Sequence, residues 1–126
     1  MQKTVIKTSE APAPIGPYSQ AILINNMLFI SGQICINPST GELKNKDIRE
    51  ETDQVMRNLL AILGESGMSF NHVVKTTIFI TDMNRFAEIN EAYGKYFTAN
   101  FPARETVQVS ALPKFVNVEI SMVAVK

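Results

Sequence analysis

At 126 residues the chain suits a single domain, of a size at which folding buries roughly two-thirds of the chain's surface. Its 45% hydrophobic content supplies a core without disulfide staples. Twelve Lys and Arg balance twelve Asp and Glu, which argues against a dedicated nucleic-acid binder, whose basic excess is usually plain. A single cysteine, Cys35, excludes an intrachain disulfide, and the lone histidine, His72, cannot complete a metal cage. The composition reads as cytoplasmic, and a neutral chain has little self-repulsion to keep its copies apart.

Residues 1–10 alternate polar and apolar side chains and lack the apolar core of a signal peptide. The longest apolar stretch, 21–30, is broken by Asn25-Asn26, so no membrane span is expected. Residues 11–17, with prolines at 12, 14 and 17, must run extended because proline fixes φ and restricts its predecessor. They lead into a strand over 18–24, a turn at Asn25-Asn26 and a returning strand over 27–31. Pro38-Ser39-Thr40-Gly41 is a turn. Beyond it, Ile48, Thr52, Val55, Leu59 and Ile62 recur at helical spacing. Asp47 with Glu50 resembles a capping box, and Gly64 and Gly67 are candidate stops.

Residues 73–80 are β-branched and apolar, the pattern of a buried strand. Asp82 is placed to cap a second helix reaching about residue 97, with Phe86, Ile89, Tyr93 and Phe97 on one face. Residues 106–111 and 116–125 read as a closing hairpin around Leu112-Pro113-Lys114. The strand–helix–strand order favours one mixed sheet with both helices on a single face. No third helix is left to cover the other face, which points to burial against other subunits.

Phosphate-loop, dinucleotide, nucleophile-elbow and metalloprotease signatures are all missing from the sequence. His72, between helix and strand, reads as a solvated histidine, and Cys35 as a small buried hydrophobe rather than a nucleophile. Glu119 is more informative. In a strand it shares a face with Ser121, Val123 and Val125, opposite Val118, Ile120, Met122 and Ala124. A carboxylate in such an apolar strand must be neutralised, hydrogen-bonded or matched to a cation. Arg104, stiffened by Pro102, is the natural counter-group. Asn90 lies on the helical stripe of Phe86 and Tyr93, where an amide needs a partner. Ser31-Gly32 ends an apolar strand and permits close backbone approach, and Tyr18 sits at the mouth of another. In a plain hairpin about Lys114, Val109 would face Glu119 and Arg104 would lie roughly 16 Å further along. A bend or bulge, a shifted pairing, or action across a subunit boundary would each resolve that gap.

The blocks Ala13-Pro14-Ile15-Gly16-Pro17-Tyr18-Ser19-Gln20-Ala21, Ile30-Ser31-Gly32-Gln33-Ile34, Asn37-Pro38-Ser39-Thr40-Gly41 and Pro102-Ala103-Arg104, with Val107, Leu112-Pro113 and Val118-Glu119-Ile120, resemble the Rid (YjgF/YER-type) family, most closely its RidA branch. The resemblance covers nearly the whole chain. It implies a chorismate-mutase-like α+β fold assembling as a homotrimer with sites between subunits. It also implies hydrolysis of 2-imino acids such as 2-iminobutanoate and 2-iminopropanoate to 2-oxo acids and ammonia, with no cofactor or metal; the balanced charge and the lack of a membrane span leave no nucleic-acid or membrane partner expected. By position, Arg104 matches the arginine that holds the substrate carboxylate and Glu119 the glutamate that handles the attacking water. Tyr18, Ser31, Gly32, Asn90 and Thr106 match other substrate-binding positions. Glu105 stands where a small residue is common and Thr106 where cysteine is frequent. On strand geometry Glu105 is expected to point away from Arg104. The competing readings are a non-catalytic module for small carboxylates or a partner protein, and an RNA-cleaving or translation-inhibiting protein, which zero net charge disfavours.

Overall fold

The structure, a computed structural model, describes residues 2–126; Met1, the first residue of the alternating N-terminal stretch, lies outside it. Six strands form one mixed sheet: β1 (Lys3–Ile6), β2 (Ala21–Ile24), β3 (Met27–Gln33), β4 (Val73–Ile80), β5 (Ala103–Gln108) and β6 (Val118–Val125), in the order β1-β2-β3-β6-β4-β5. Helix α1 (Ile48–Glu65) links β3 to β4, and α2 (Phe86–Gly94) links β4 to β5. The expected hairpin of 106–111 with 116–125 does not form. β5 pairs parallel with β4 at the sheet edge, and β6 runs antiparallel between β3 and β4. In the connecting turn Lys114 and Phe115 both take positive φ (55° and 56°). Such backbone is unfavourable for side chains of this size, and tertiary contacts must hold it there.

Local chemistry fixes the other elements much as the sequence implies. The Asp47 carboxylate accepts from Glu50 N at 2.8 Å and starts α1. Gly67, at φ 70°, ends it, with Met68 N donating back to Leu63 O. Gly64 remains inside the helix. The striped residues Ile48, Thr52, Val55, Leu59 and Ile62 are all buried against the sheet. The second helix is shorter than expected. A 3-10 turn at Met83–Arg85 takes the Asp82 cap, and α2 stops at Gly94, although Phe97 still packs on Tyr93 with ring centroids 5.0 Å apart. Asn25 supplies the positive φ of the β2–β3 turn. β1, four residues of the alternating N-terminus, was not expected as a strand and pairs with β2.

Both helices cover one face of the sheet, where Leu28, Ile78, Ile80, Ile120 and Ala124 are buried. The opposite face carries Ile22, Met27, Phe29, Phe79, Val107, Val123 and Val125 with no covering element. Phe29 is 43% and Val107 42% exposed. Among the described residues no helix is long and apolar enough to cross a membrane.

Candidate functional site

Glu119 is the second residue of β6 and points to the open face, level with Phe79. It is half-buried, and burial pushes its pKa up from the ordinary carboxylate value. The strand beside it is broken by a bulge between Ile30 and Gln33. A Cβ on Gly32 would fall 2.5 Å from Glu119 Oε2, so only glycine lets the backbone pass under this carboxylate. A small cleft opens there, where Ile15, Tyr18, Gln20, Gln33, Ile34 and Pro113 surround Glu119. The Tyr18 hydroxyl accepts from Ile15 N at 3.2 Å, and its own proton is uncommitted. The Ser31 hydroxyl is spent on Ser19 O at 2.6 Å, so Ser31 braces the wall rather than offering a hydroxyl.

Two buried residues that sequence reasoning did not single out shape this cleft. Gln20 accepts from Thr8 N and donates to Thr8 O and Pro12 O, lacing the proline-rich wall to β2. Glu51 on α1 accepts from Asn117 N (2.7 Å), Asn117 Nδ2 (2.9 Å) and Val118 N (3.0 Å), fixing the start of β6 one residue before Glu119. Glu51 does carry a sequence signal. It sits three residues after Ile48 and four before Val55, a carboxylate inside an apolar stripe.

Arg104 occupies a different place. It lies on edge strand β5 opposite Thr76 and points to the helix-covered face. Its guanidinium carbon is 5.3 Å from the Tyr93 ring centroid and 5.7 Å from that of Phe86. With Asn90, Tyr93, Gly94, Phe101 and Pro102 it lines an open hollow of about 580 Å³. Thr106 follows on the same face, and its Oγ1 is buried without a hydrogen-bond partner. Glu105 faces the other way, where it accepts from the Thr77 hydroxyl at 2.5 Å and pairs with Lys75 at 3.0 Å.

One chain therefore builds two partial sites. Tyr18, Gly32 and Glu119 meet in the first, and Asn90 and Arg104 in the second. Strand register sets Arg104 level with Met122, three positions from Glu119, on the opposite face and two strands away. That offset is roughly 10 Å along the strands and as much across them, so no small molecule touches both within a single chain. The two groups share a further property. Among the described residues, every other charged side chain that is at least partly buried has an ion-pair or hydrogen-bond partner. Lys44 pairs with Glu50, Lys75 with Glu105, Asp53 with Arg57 and Lys95, and Glu88 with Arg49 and Arg85, while Glu51 takes its three N–H donors. Arg104 and Glu119 have none.

The other candidate nucleophile and base serve structure. Cys35 is buried, with its thiol pushed up to about 12 by desolvation first and the Glu51 charge second. His72 is half-buried rather than solvated, and its Nδ1 accepts from Ser69 N at 3.0 Å to close a capping box.

Comparison with known proteins places this arrangement in context. The family described as Endoribonuclease L-PSP matches residues 8–126. A RutC family protein of Pyrococcus abyssi is 52% identical over 126 residues, covering 100% of this chain and 99% of that one. The human 2-iminobutanoate/2-iminopropanoate deaminase is 47% identical over 124 residues, covering 98% of this chain and 90% of that one. Among solved structures, Escherichia coli TdcF with bound serine superposes with a TM-score of 0.94 at 42% identity, covering 98% of each chain.

Proposed function

Because the chain belongs to the Endoribonuclease L-PSP family, which its motifs identify with the Rid proteins, we propose that it hydrolyses small 2-imino acids to 2-oxo acids and ammonia. The site is shared by two copies, one giving Arg104 and the other Glu119, and the copies assemble as a ring of three. The observation that carries this reading is the pair of unsatisfied charges described above. An arginine with all its donors unspent suits a carboxylate, which it grips through a planar two-bond fork. A half-buried carboxyl with a raised pKa, set in an aliphatic cleft beside a tyrosine, suits proton transfer.

The chemistry asks for little more. With the substrate carboxylate held on Arg104, its C=N carbon is presented to Glu119 of the neighbouring copy. Water attacks that carbon of the protonated C=N group (the iminium) and gives a proton to the Glu119 carboxylate, forming a neutral tetrahedral aminol. Glu119 then returns the proton to nitrogen, and ammonia leaves as the carbonyl forms. The hydroxyl proton goes to the carboxylate or to solvent. Asn90 and Thr106 have unspent polar groups near Arg104, and Tyr18 has one near Glu119. These serve to orient the carboxylate and the water. The human relative is named for this reaction, and TdcF holds serine, an amino acid carrying the same carboxylate.

The assembly follows from where the groups lie. Two different patches of one chain must meet, and a head-to-tail contact of that kind closes into a ring when its rotation allows. The uncovered apolar face around Phe29, Val107 and Val123 needs burial of this sort. An RNA-cleaving reading, which the family's description suggests, has no support in the balance of 12 basic and 12 acidic residues.

The test is complementation. Arg104→Ala and Glu119→Gln should each abolish accelerated loss of 2-iminobutanoate generated in the assay. Mixed under conditions that exchange subunits, they should recover about a quarter of the parent activity, the chance that one contact draws both intact groups. Failure to recover, with hybrids shown to form, would place the site within one chain and overturn the shared-site proposal. A parent protein that leaves the imine's decay unchanged would overturn the deaminase reading itself.

A further inference from the structure

Arg104 is held without being neutralised. Its guanidinium carbon lies over the rings of both Phe86 and Tyr93, with both centroids within 6 Å, the range in which a cation is drawn to an aromatic face. The two rings come from positions seven apart on α2, two turns and about 10 Å along the helix axis on one face, so both can approach the same guanidinium. Tyr93 is 4% exposed, and its hydroxyl donates to Thr76 Oγ1 at 3.0 Å. Thr76 is the β4 residue directly opposite Arg104. The Tyr93 hydroxyl is thus tied to β4 at the level at which Arg104 leaves β5. Phe86, the first residue of α2, forms the outer wall at 36% exposure.

This mode of holding has a chemical consequence. A carboxylate partner would fix the guanidinium by occupying its N–H groups, and so would compete with any anionic ligand. Aromatic faces attract the charge perpendicular to its plane, while all five N–H donors lie within that plane and stay free. We infer that Phe86 and Tyr93 are positioning residues that hold Arg104 flat, so that its in-plane edge meets a substrate carboxylate through two hydrogen bonds. Asn90, four residues after Phe86 and three before Tyr93, borders the same edge, with its amide uncommitted among the described residues. The identity of the ligand as a 2-imino or 2-oxo acid rests on the deaminase reading; the aromatic clamp rests on the geometry alone.

Phe86 is the residue to vary, since it is partly exposed and its replacement by leucine keeps apolar bulk without an aromatic face. Phe86→Leu should raise KM for 2-iminobutanoate and weaken calorimetric binding of 2-oxobutanoate roughly three- to thirtyfold. Its kcat should stay within about twofold of the parent, as expected for a residue acting on binding alone. Phe86→Tyr should restore parent values, and both variants should melt with the parent. Binding that is unchanged in Phe86→Leu overturns the inference. So does equal loss in the leucine and tyrosine variants, or a fall in kcat at constant KM. If the parent binds 2-oxobutanoate through this clamp but does not accelerate imine hydrolysis, the clamp stands and the deaminase reading falls.

Discussion

The two hollows differ in how each holds its charged group. Arg104 sits on an edge strand and is steadied from the side by rings of α2, so its position depends on how the helix packs. Glu119 sits in the strand at the middle of the sheet, over a bulge and a glycine, and Glu51 pins the backbone just before it. In the proposed reaction one hollow would serve for grip and the other for holding a carboxylate at a set height above the sheet. The arginine can shift with its ligand and still make a fork. In that reaction the carboxylate would have to meet a water at one distance, and the sheet holds its backbone in place.

The sharpest way to break the comparison is to part the copies. Phe29→Asp puts a charge in the middle of the uncovered apolar face. It should give a folded single chain by sedimentation with deaminase activity lowered by at least about 10²-fold, the scale of losing one proton-transferring group. A single chain that stays fully active would return both groups to one site. A smaller effect should come from Gly32→Ala, which disturbs only the carboxylate side. The new methyl meets Glu119 Oε2 within van der Waals contact, and we expect kcat to fall about tenfold, part of the range assigned to a proton-transferring group, with KM and 2-oxobutanoate binding retained. A KM effect as large as the kcat effect would mean that the two hollows are not divided into grip and proton transfer.

The mildest perturbation is acid. In the proposed reaction Glu119 works as a base in its carboxylate form, and burial raises its pKa above the 4.5 of an ordinary glutamate. Activity should therefore decline, as pH falls, at a higher pH than an unperturbed glutamate would give, and the missing limb in Glu119→Gln would assign it. A limb at or below 4.5 in the parent would show that burial does not act on this group in the assembled protein.

Much of this was legible in the residues, and the failures are instructive. The stripe of α1, the β-branched run of β4 and the Asn25-Asn26 turn carry local signals strong enough to survive tertiary packing. Glu119 stood out because a carboxylate in an apolar strand is costly. The pairing of β5 was misread because adjacency in sequence suggested a hairpin, whereas β6 is apolar on both faces, the mark of a central strand. Its place between β3 and β4 follows from that pattern more than from the turn before it. The short β1 has only four residues and is set by pairing with β2, so its own sequence says little. The separation of Arg104 from Glu119 onto opposite faces needed the parallel register of β4 and β5, which no spacing in the chain reveals.

The position of β6 bears on how the protein comes into being. It follows every other strand along the chain, yet it joins β1-β2-β3 to β4-β5. The contacts that seat it are distant in sequence, the kind that slow folding. The same seating delivers Glu119. On the proposed mechanism, a copy in which β6 is not seated would have no carboxylate to lend to a neighbour.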